Sequence, residues 1–394
     1  MVICQLNFLI LKKASDMIVV YFSNVRYPTE KAYGVTIFYT MQALEELGHK
    51  SMIISPSNFN EFGRSQISRL ILKYFWNKTS LINSKSRLID KQLFIIKRII
   101  LALYSRYLIP STTDTLWIRD PLIGLLNYKK SNIKKVVVEV HLKPHSIDLL
   151  LLKLMQKSGK LVIAPISVSV EGKLRLSRIN LDHKNTVLAP MAVPNAFFEN
   201  QAPSEFIKRS NFRLSYVGSI FSTGHDQKIY DLISDIEKIN NSENNFKIQV
   251  YLYGIEDELI PAINQKFSKL SRSDQLFIYP RQSHEILLTQ LIHSDAFILP
   301  YPDGIFFEDR FPLKALEYAA LRRPILVSDT VSHRNIFSDD EVWFYEFGNY
   351  ASLTEAISNL ILNPTLAKNK LELAFSKAKN YTYINRVKKI LEVF

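Results

Sequence analysis

The densest group of chemically useful side chains lies in Leu299–Ser328, which reads LPYPDGIFFEDRFPLKALEYAALRRPILVS. The apolar run Ala296–Leu299 predicts a strand, and the loop after it holds Asp303, Gly304, Glu308, Asp309 and Arg310. A helix is expected next, with Pro312 suited to its first position. Leu313, Leu316 and Ala320 form its buried stripe, while Lys314, Glu317 and Tyr318 are neighbours at i, i+3 and i+4. The helix should end at Arg322-Arg323-Pro324, before another apolar strand. Free N–H groups and the positive dipole at such a helix start accept phosphate oxygens. Carboxylates hydrogen-bond sugar hydroxyls. At 1.5 Å per residue, Glu317 sits about 7.5 Å along the axis from Pro312, so it serves a different part of a ligand than Asp309 does. The chemistry that fits is recognition of a sugar joined to a diphosphate.

Short apolar runs separated by longer amphipathic stretches must position these groups. Candidate strands in the first half are Ile18–Phe22, Ser51–Ser55, Leu116–Ile118, Val136–Val140, Leu161–Pro165 and Thr186–Ala189. In the second half they are Arg213–Val217, Ile248–Tyr253, Leu276–Tyr279, Ala296–Leu299, Ile325–Ser328 and Val342–Tyr345. Many are apolar throughout, as parallel strands covered on both faces are. Helical stretches such as Thr36–Leu47, His284–His293 and Ser352–Leu360 separate them. Two successive β-α-β series predict an α/β protein of two doubly wound Rossmann-like domains facing a cleft. A length of 394 residues agrees with two domains. The boundary is expected near Pro194–Ser204, giving domains over 17–200 and 201–380.

Here the chain resembles a known family. Pro312-Leu313-Lys314-Ala315-Leu316-Glu317-Tyr318 is similar to the core of the E-x7-E donor-site motif of glycosyltransferase family 4 (group 1), whose members have the GT-B fold and act in bacterial surface-polysaccharide synthesis. By that resemblance Glu317 binds the nucleotide ribose and an earlier acid contacts the donor sugar. Asp309 keeps the seven-residue gap and is preferred, while Glu308 gives eight. The family usually has Gly where this chain has Arg322, and an Arg in a left-handed cap costs about 1 kcal/mol, so a different turn is expected. Tyr27–Gly34 resembles the loop near diphosphate and acceptor, with Gly34 permitting close backbone approach. LEELGH, Leu44–His49, resembles the segment before the second strand. Trp117–Pro121 resembles an "Arg-Asp" segment and Val138–His141 a "Glu-x-His" segment, which implies roles for Glu139 and for His141 at the donor sugar. Leu214–Ser219 resembles the opening of the nucleotide domain, with Gly218 and Ser219 at the pyrophosphate. The family's Arg/Lys pair is absent after that glycine, and Lys228, Arg310 and Lys314 are the candidate replacements. Arg281, with Gln282, falls where the base is read. Tyr381–Arg386 resembles a terminal helix that crosses back to the first domain, which gives 381–394 as a separate segment.

The formal net charge of +13 is divided unevenly. Residues 1–200 carry 28 basic and 13 acidic side chains, and residues 201–394 carry 22 and 24. Residues 64–108 hold ten Lys or Arg and one acid, Asp90, interleaved with apolar and aromatic side chains. That pattern suits either an anionic membrane surface or a basic helix pair with an ordinary core face. No nucleic-acid-binding signature accompanies the charge, so nucleic acid is not expected as a partner. One cysteine, Cys4, excludes an internal disulfide framework and points to a reducing compartment. The longest apolar stretch, Leu93–Ile109, is broken by Lys97, Arg98 and Arg106, too soon for a spanning helix. Val2–Leu11 is apolar but followed by Lys12-Lys13, against the charge order of a secretory signal. Residues 1–16 are read as a possible upstream extension.

No G-x-G-x-x-G, Walker A or G-x-S-x-G motif occurs, the eight His lack ligand spacing, and no metal or other cofactor is expected. The resulting reading is a cytoplasmic glycosyltransferase (hexosyltransferase type, EC 2.4), peripheral on the inner face of the membrane. It moves a sugar from a nucleotide-diphosphate donor to a glycan or lipid-linked acceptor with retention of configuration. Catalytic roles are expected for His141, Asp309 and Glu317. Substrate binding is expected from Gly34, Glu139, Gly218, Ser219, Arg281, Glu308, Arg310 and Lys314. The rivals are a nucleotide-sugar epimerase of the same fold and a non-catalytic sugar-nucleotide-binding subunit.

Overall fold

Runs of apolar residues without alternation become strands of two parallel sheets. The computed structural model describes residues 17–24, 32–55, 87–182, 184–199, 211–222, 225–242, 246–302, 304 and 311–394. The chain divides into two units, one of residues 1–190 with 383–394 and the other of residues 191–382.

In the first unit, β1 (Ile18–Phe22), β2 (Lys50–Ile54), β3 (Thr115–Ile118), β4 (Lys135–Val140) and β5 (Leu161–Pro165) form one sheet in the order β2-β1-β3-β4-β5. Helices α1 (Ala32–Glu46), α2 (Arg87–Leu108), α3 (Pro121–Asn127) and α4 (Ser146–Gln156) connect them. Every residue of β3 and β5 is buried, which explains the absence of alternation. The expected strand Thr186–Ala189 is instead a line of hydrogen bonds beside β5 with a single bridge, Ile163 to Thr186. Ile163 donates to Asn185 O, Val187 to Ile163 O and Ala189 to Pro165 O. The missing rung falls at Pro165, which has no N–H to give.

In the second unit, β6 (Asn211–Val217), β9 (Lys247–Ile255), β10 (Leu276–Pro280), β11 (Ala296–Leu299), β12 (Ile325–Ser328) and β13 (Trp343–Tyr345) form a sheet in the order β10-β9-β6-β11-β12-β13. The short pair β7 (Phe221–Ser222) and β8 (His225–Asp226) is a separate antiparallel hairpin that the apolar pattern does not announce. Helices α5 (Ile229–Asn241), α6 (His284–Leu291), α7 (Leu313–Ala320), α8 (Tyr350–Leu362) and α9 (Pro364–Ala378) cover the sheet. The last helix, α10 (Tyr383–Leu391), belongs to the first unit, where Tyr383 stacks on Tyr39 of α1 at 5.4 Å.

Both sheets reverse their strand order. The chain runs from β1 out to β2 and returns to β3 on the other side of β1. It likewise runs from β6 through β9 to β10 and returns to β11 on the other side of β6. The carboxyl ends of β1/β3 and of β6/β11 are therefore the switch points where such sheets open a ligand crevice.

Candidate active site

The second unit builds one group of functional side chains at its switch point. Chain reversal after β6 uses Gly218, whose φ is +149°, a conformation that favours glycine. A Cβ placed there would lie 2.0 Å from Lys314 Nζ and 2.7 Å from the Tyr216 hydroxyl. The lysine of α7 is thus seated directly over the Gly218 turn. Its ammonium also lies 5.0 Å from the Tyr216 ring centroid. Two tyrosines hold the arrangement: Tyr216 donates to Ser219 O at 3.1 Å, and Val217 N donates to the Tyr318 hydroxyl at 2.9 Å. Tyr318 in turn stacks on Phe297 of β11 at 4.2 Å. Helix α7 is therefore pinned to β6 and β11 one turn beyond Lys314.

Glu317 is one turn along α7 from Lys314 and has no hydrogen-bond partner among the described residues. Burial pushes its pKa up to about 7, against the pull of Lys314. A carboxyl group kept partly buried without a partner is poised to accept hydroxyl donors from a ligand. Ser219 Oγ donates to Phe221 O at 2.7 Å. Arg281 follows β10 and is exposed. Beside it, Gln282 Oε1 is buried and unpaired. Lys228 lies 3.8 Å from Asp226 and 3.6 Å from Asp231, so its charge is already engaged. Glu308, Asp309 and Arg310 lie outside the described residues.

The start and end of this helix differ from expectation. Pro312 precedes α7 as its cap, with φ −79° and ψ 62°, and the helix opens at Leu313. Arg322 does occupy a left-handed conformation, φ 52°. Its guanidinium pairs with Glu372 and lies 4.9 Å from the Phe375 ring, and these contacts with α9 offset the strain. The turn expected of a glycine is kept by an arginine.

The first unit gathers a second group where β1, β3 and β4 run side by side. Register pairs Tyr21 with Trp117 and Ile118 with Val138, which brings Arg119 level with Glu139. Glu139 is fully buried and accepts five hydrogen bonds. Oε1 takes Trp117 Nε1 at 2.9 Å and Arg386 Nη2 at 2.8 Å. Oε2 takes Arg119 Nε at 3.1 Å, His141 Nε2 at 3.0 Å and the Tyr21 hydroxyl at 3.4 Å. Burial alone would raise the Glu139 pKa, but Arg386, the His141 hydrogen bond and Arg119 outweigh it and hold it well below the carboxylate range. The His141 pKa falls to about 4, chiefly through burial and then through Arg119, against the pull of Glu139. Gly34 is buried in the first turn of α1, the helix that follows β1.

Arg119 and Glu139 were visible in the sequence. Arg386 as a partner was not, since 247 positions separate it from Glu139. The Asp of the "Arg-Asp" segment is structural. Asp120 caps α3 by accepting from Leu122 N, and it binds Arg98 at 2.7 and 2.8 Å. Arg98 also pairs with Asp148 of α4, so one cation of the basic stretch is used internally.

Two depressed histidines set an acid limit. His333, buried after β12, is also lowered to about 4 by burial. Unfolded chains take up a proton near pH 6.5, before the folded protein does. The stability these two histidines contribute is therefore complete above about pH 6.5 and falls as pH drops toward 4, by up to about 3 kcal/mol each. Denaturant midpoints measured over this range should decline with acid, and the decline should flatten in His141→Gln.

Among the described residues no group of three or more His, Cys, Asp and Glu is gathered as metal ligands, and no helix is long and apolar enough to cross a membrane.

Known proteins share this architecture. No curated protein matches the sequence significantly. A crystal structure of a glycosyltransferase from Rickettsia africae ESF-5 superimposes with a TM-score of 0.68 at 16% identity, covering 96% of this chain and 98% of that one. The apo form of the lipopolysaccharide outer core galactosyltransferase WaaB gives 0.61 at 12% identity, with 96% and 99% covered. Anabaena HepE, solved with UDP and glucose, gives 0.61 at 9% identity, with 95% and 98% covered. Residues 211–363, which include Gly218, Lys314 and Glu317, match the family model described as glycosyl transferases group 1. Residues 211–363 are therefore similar to group 1 glycosyl transferases, and the chain as a whole has the GT-B fold.

Proposed function

We propose that the protein transfers a hexosyl group from a nucleotide-diphosphate sugar to a lipid-linked or polysaccharide acceptor, with retention of configuration. The observation that carries this reading is the Lys314 ammonium seated over the Gly218 turn, with Glu317, whose carboxyl has no hydrogen-bond partner among the described residues, one turn further along α7. A diphosphate resting on that turn meets the cation and the N–H groups that open α7. As the glycosidic bond lengthens, charge builds on the departing diphosphate, and these fixed donors stabilise it. Glu317 as carboxylate accepts from ribose hydroxyls. His141 in the first unit accepts from a sugar hydroxyl. Asp309 or Glu308 supplies the donor-sugar contact, and Arg310 adds positive charge. Arg281 and Gln282 read the base. The binding of UDP by HepE supports a nucleotide-diphosphate donor. The WaaB name supports an acceptor in a surface glycan.

Incubation with a panel of nucleotide sugars, with and without membrane lipid extract, tests the reading. Free nucleoside diphosphate should appear with one donor and only when acceptor is present. An isomerised donor would make the protein an epimerase instead. Binding without turnover would make it a non-catalytic subunit.

The acceptor reading extends to a membrane-facing role. Helix α2 buries Leu101, Ala102 and Ser105 but leaves Ile95, Ile96, Ile99, Leu103 and Tyr107 exposed. The stripe 95, 99, 103 and 107 lies along one side of the helix. Exposed Arg106 stands among these residues, as on an interfacial helix that meets anionic lipid. Replacing Ile96, Ile99 and Leu103 by Gln should release the protein from anionic vesicles in a flotation assay. Undiminished flotation would remove the membrane-facing role.

A further inference from the structure

The first unit holds a buried charge cluster whose composition the transfer chemistry does not by itself require. Glu139 sits between two guanidinium groups, Arg119 at 3.1 Å and Arg386 at 2.8 Å. Arg386 is 4% exposed and comes from α10, the last helix of the chain. Its Nε donates to Pro190 O at 3.0 Å and its Nη2 to Glu139 Oε1 at 2.8 Å, while Nη1 is buried with no hydrogen-bond partner among the described residues. The cluster carries one negative and two positive charges, a costly arrangement unless it orients something.

What it orients is the His141 ring. A carboxylate that already accepts from Trp117, Tyr21, Arg119 and Arg386 can only accept from His141 as well. Nε2 must therefore carry the ring proton. Nδ1 is then the lone-pair nitrogen, with no partner among the described residues and not among their buried unpaired atoms. The side chain is 24% exposed, so Nδ1 is the atom offered to a ligand. We infer that Arg386 is a positioning residue: by clamping Glu139 it holds His141 as a neutral Nε2–H imidazole that presents Nδ1 as a hydrogen-bond acceptor to a sugar hydroxyl. The nature of that ligand rests on the transferase reading, while the clamp itself does not.

The charged or titratable groups facing His141 are Tyr21 from β1, Arg119 after β3, Glu139 from β4 and Arg386 from α10. Arg119 and Arg386 both disfavour a second proton on the ring, and Glu139 favours it. A ring so weakly basic is a poor general base near neutrality. Its role is to hold a hydroxyl in place, unchanged from about pH 5 upward.

The test uses the full-length protein labelled with 15N-histidine, with His141 assigned by its loss in His141→Gln. In the wild type the His141 shifts should report the Nε2–H tautomer and a protonation midpoint near 4. Arg386→Met removes the charge at similar volume and leaves Glu139 paired with Arg119, so the fold has no new uncompensated charge. Its midpoint should rise, since Arg386 disfavours the second proton on the ring, and kcat should fall about 10-fold with the donor KM within about twofold. Arg386→Lys keeps a cation at Glu139 and should return the midpoint to the wild-type value. A proton on Nδ1 in the wild type overturns the inference. So does an Arg386→Met midpoint equal to that of the wild type, or a Lys variant that behaves like Met. Should Arg386→Met not fold, the wild-type tautomer and the Lys variant decide. Should the wild type turn over no nucleotide sugar, the transferase reading fails and the titrations alone judge the clamp.

Discussion

Replacing Glu317 by Gln is expected to lower kcat/KM for the donor by about 10- to 100-fold and to stabilise the ligand-free protein above pH 7. The first effect follows from losing a charged acceptor for ligand hydroxyls, where a hydrogen bond to a charged group is worth about 1.5–3 kcal/mol and tenfold in rate costs about 1.4. The second follows from the raised pKa. Folded Glu317 keeps its proton to about pH 7, whereas the unfolded chain releases it near 4.5. The contribution is thus fully present below about pH 4.5 and is lost as pH rises through 7, when an unpaired charge must sit in the fold. At full extent the cost is about 3 kcal/mol. Gln has no charge to bury, so its denaturant midpoint at pH 8 should exceed that of the wild type while the two converge near pH 4.5. A stability gain coupled to loss of function marks a side chain kept for its ligand. An equal activity in the two proteins would remove Glu317 from the site.

Gly218→Ala is expected to be similarly damaging, for a geometric reason. The new methyl would lie 2.0 Å from Lys314 Nζ, 2.7 Å from the Tyr216 hydroxyl and 3.1 Å from Tyr216 Cζ. Lys314 is the flexible end of a side chain and will swing away. The Tyr216 ring is fully buried and its hydroxyl is held by Ser219 O, so it yields less easily. A φ of +149° adds backbone strain of about 1–3 kcal/mol for any residue with a Cβ. Strain and displaced cation act on the same turn. A loss in donor affinity of about 100-fold should appear in direct binding, while the far side of the second unit keeps its fold. Lys314→Met would separate the two causes, because it removes the cation and leaves the turn unstrained.

Much of this was legible in the sequence because parallel sheets buried on both faces write themselves as uninterrupted apolar runs. The strands Ile18–Phe22, Leu161–Pro165, Ala296–Leu299 and Ile325–Ser328 have the same limits in sequence and structure. Thr186–Ala189 has strand composition but pairs with an edge that includes Pro165, and a missing donor is invisible in hydropathy. Lys314 and Glu317 were found because helical spacing places them one turn apart on one element. The clamp on Glu139 was not, because its donors come from β1, β3 and the last helix, and nothing local in Arg386 distinguishes it from a surface charge. Arg98 makes the same point in reverse: composition counts it as free positive charge, and the fold pairs it with Asp120 and Asp148.

The central claim is that the turn at Gly218 and the start of α7 hold a nucleoside diphosphate. Calorimetric titration of the full-length protein with UDP, GDP, ADP, CDP and TDP tests this most directly. One of them should bind at one molecule per chain, and both Gly218→Ala and Lys314→Met should weaken it by about 100-fold while a variant at an exposed position at the end of α8, Leu362→Gln, binds as the wild type does. No binding of any of the five by the wild type, or binding unaffected by Gly218→Ala and Lys314→Met, would contradict it.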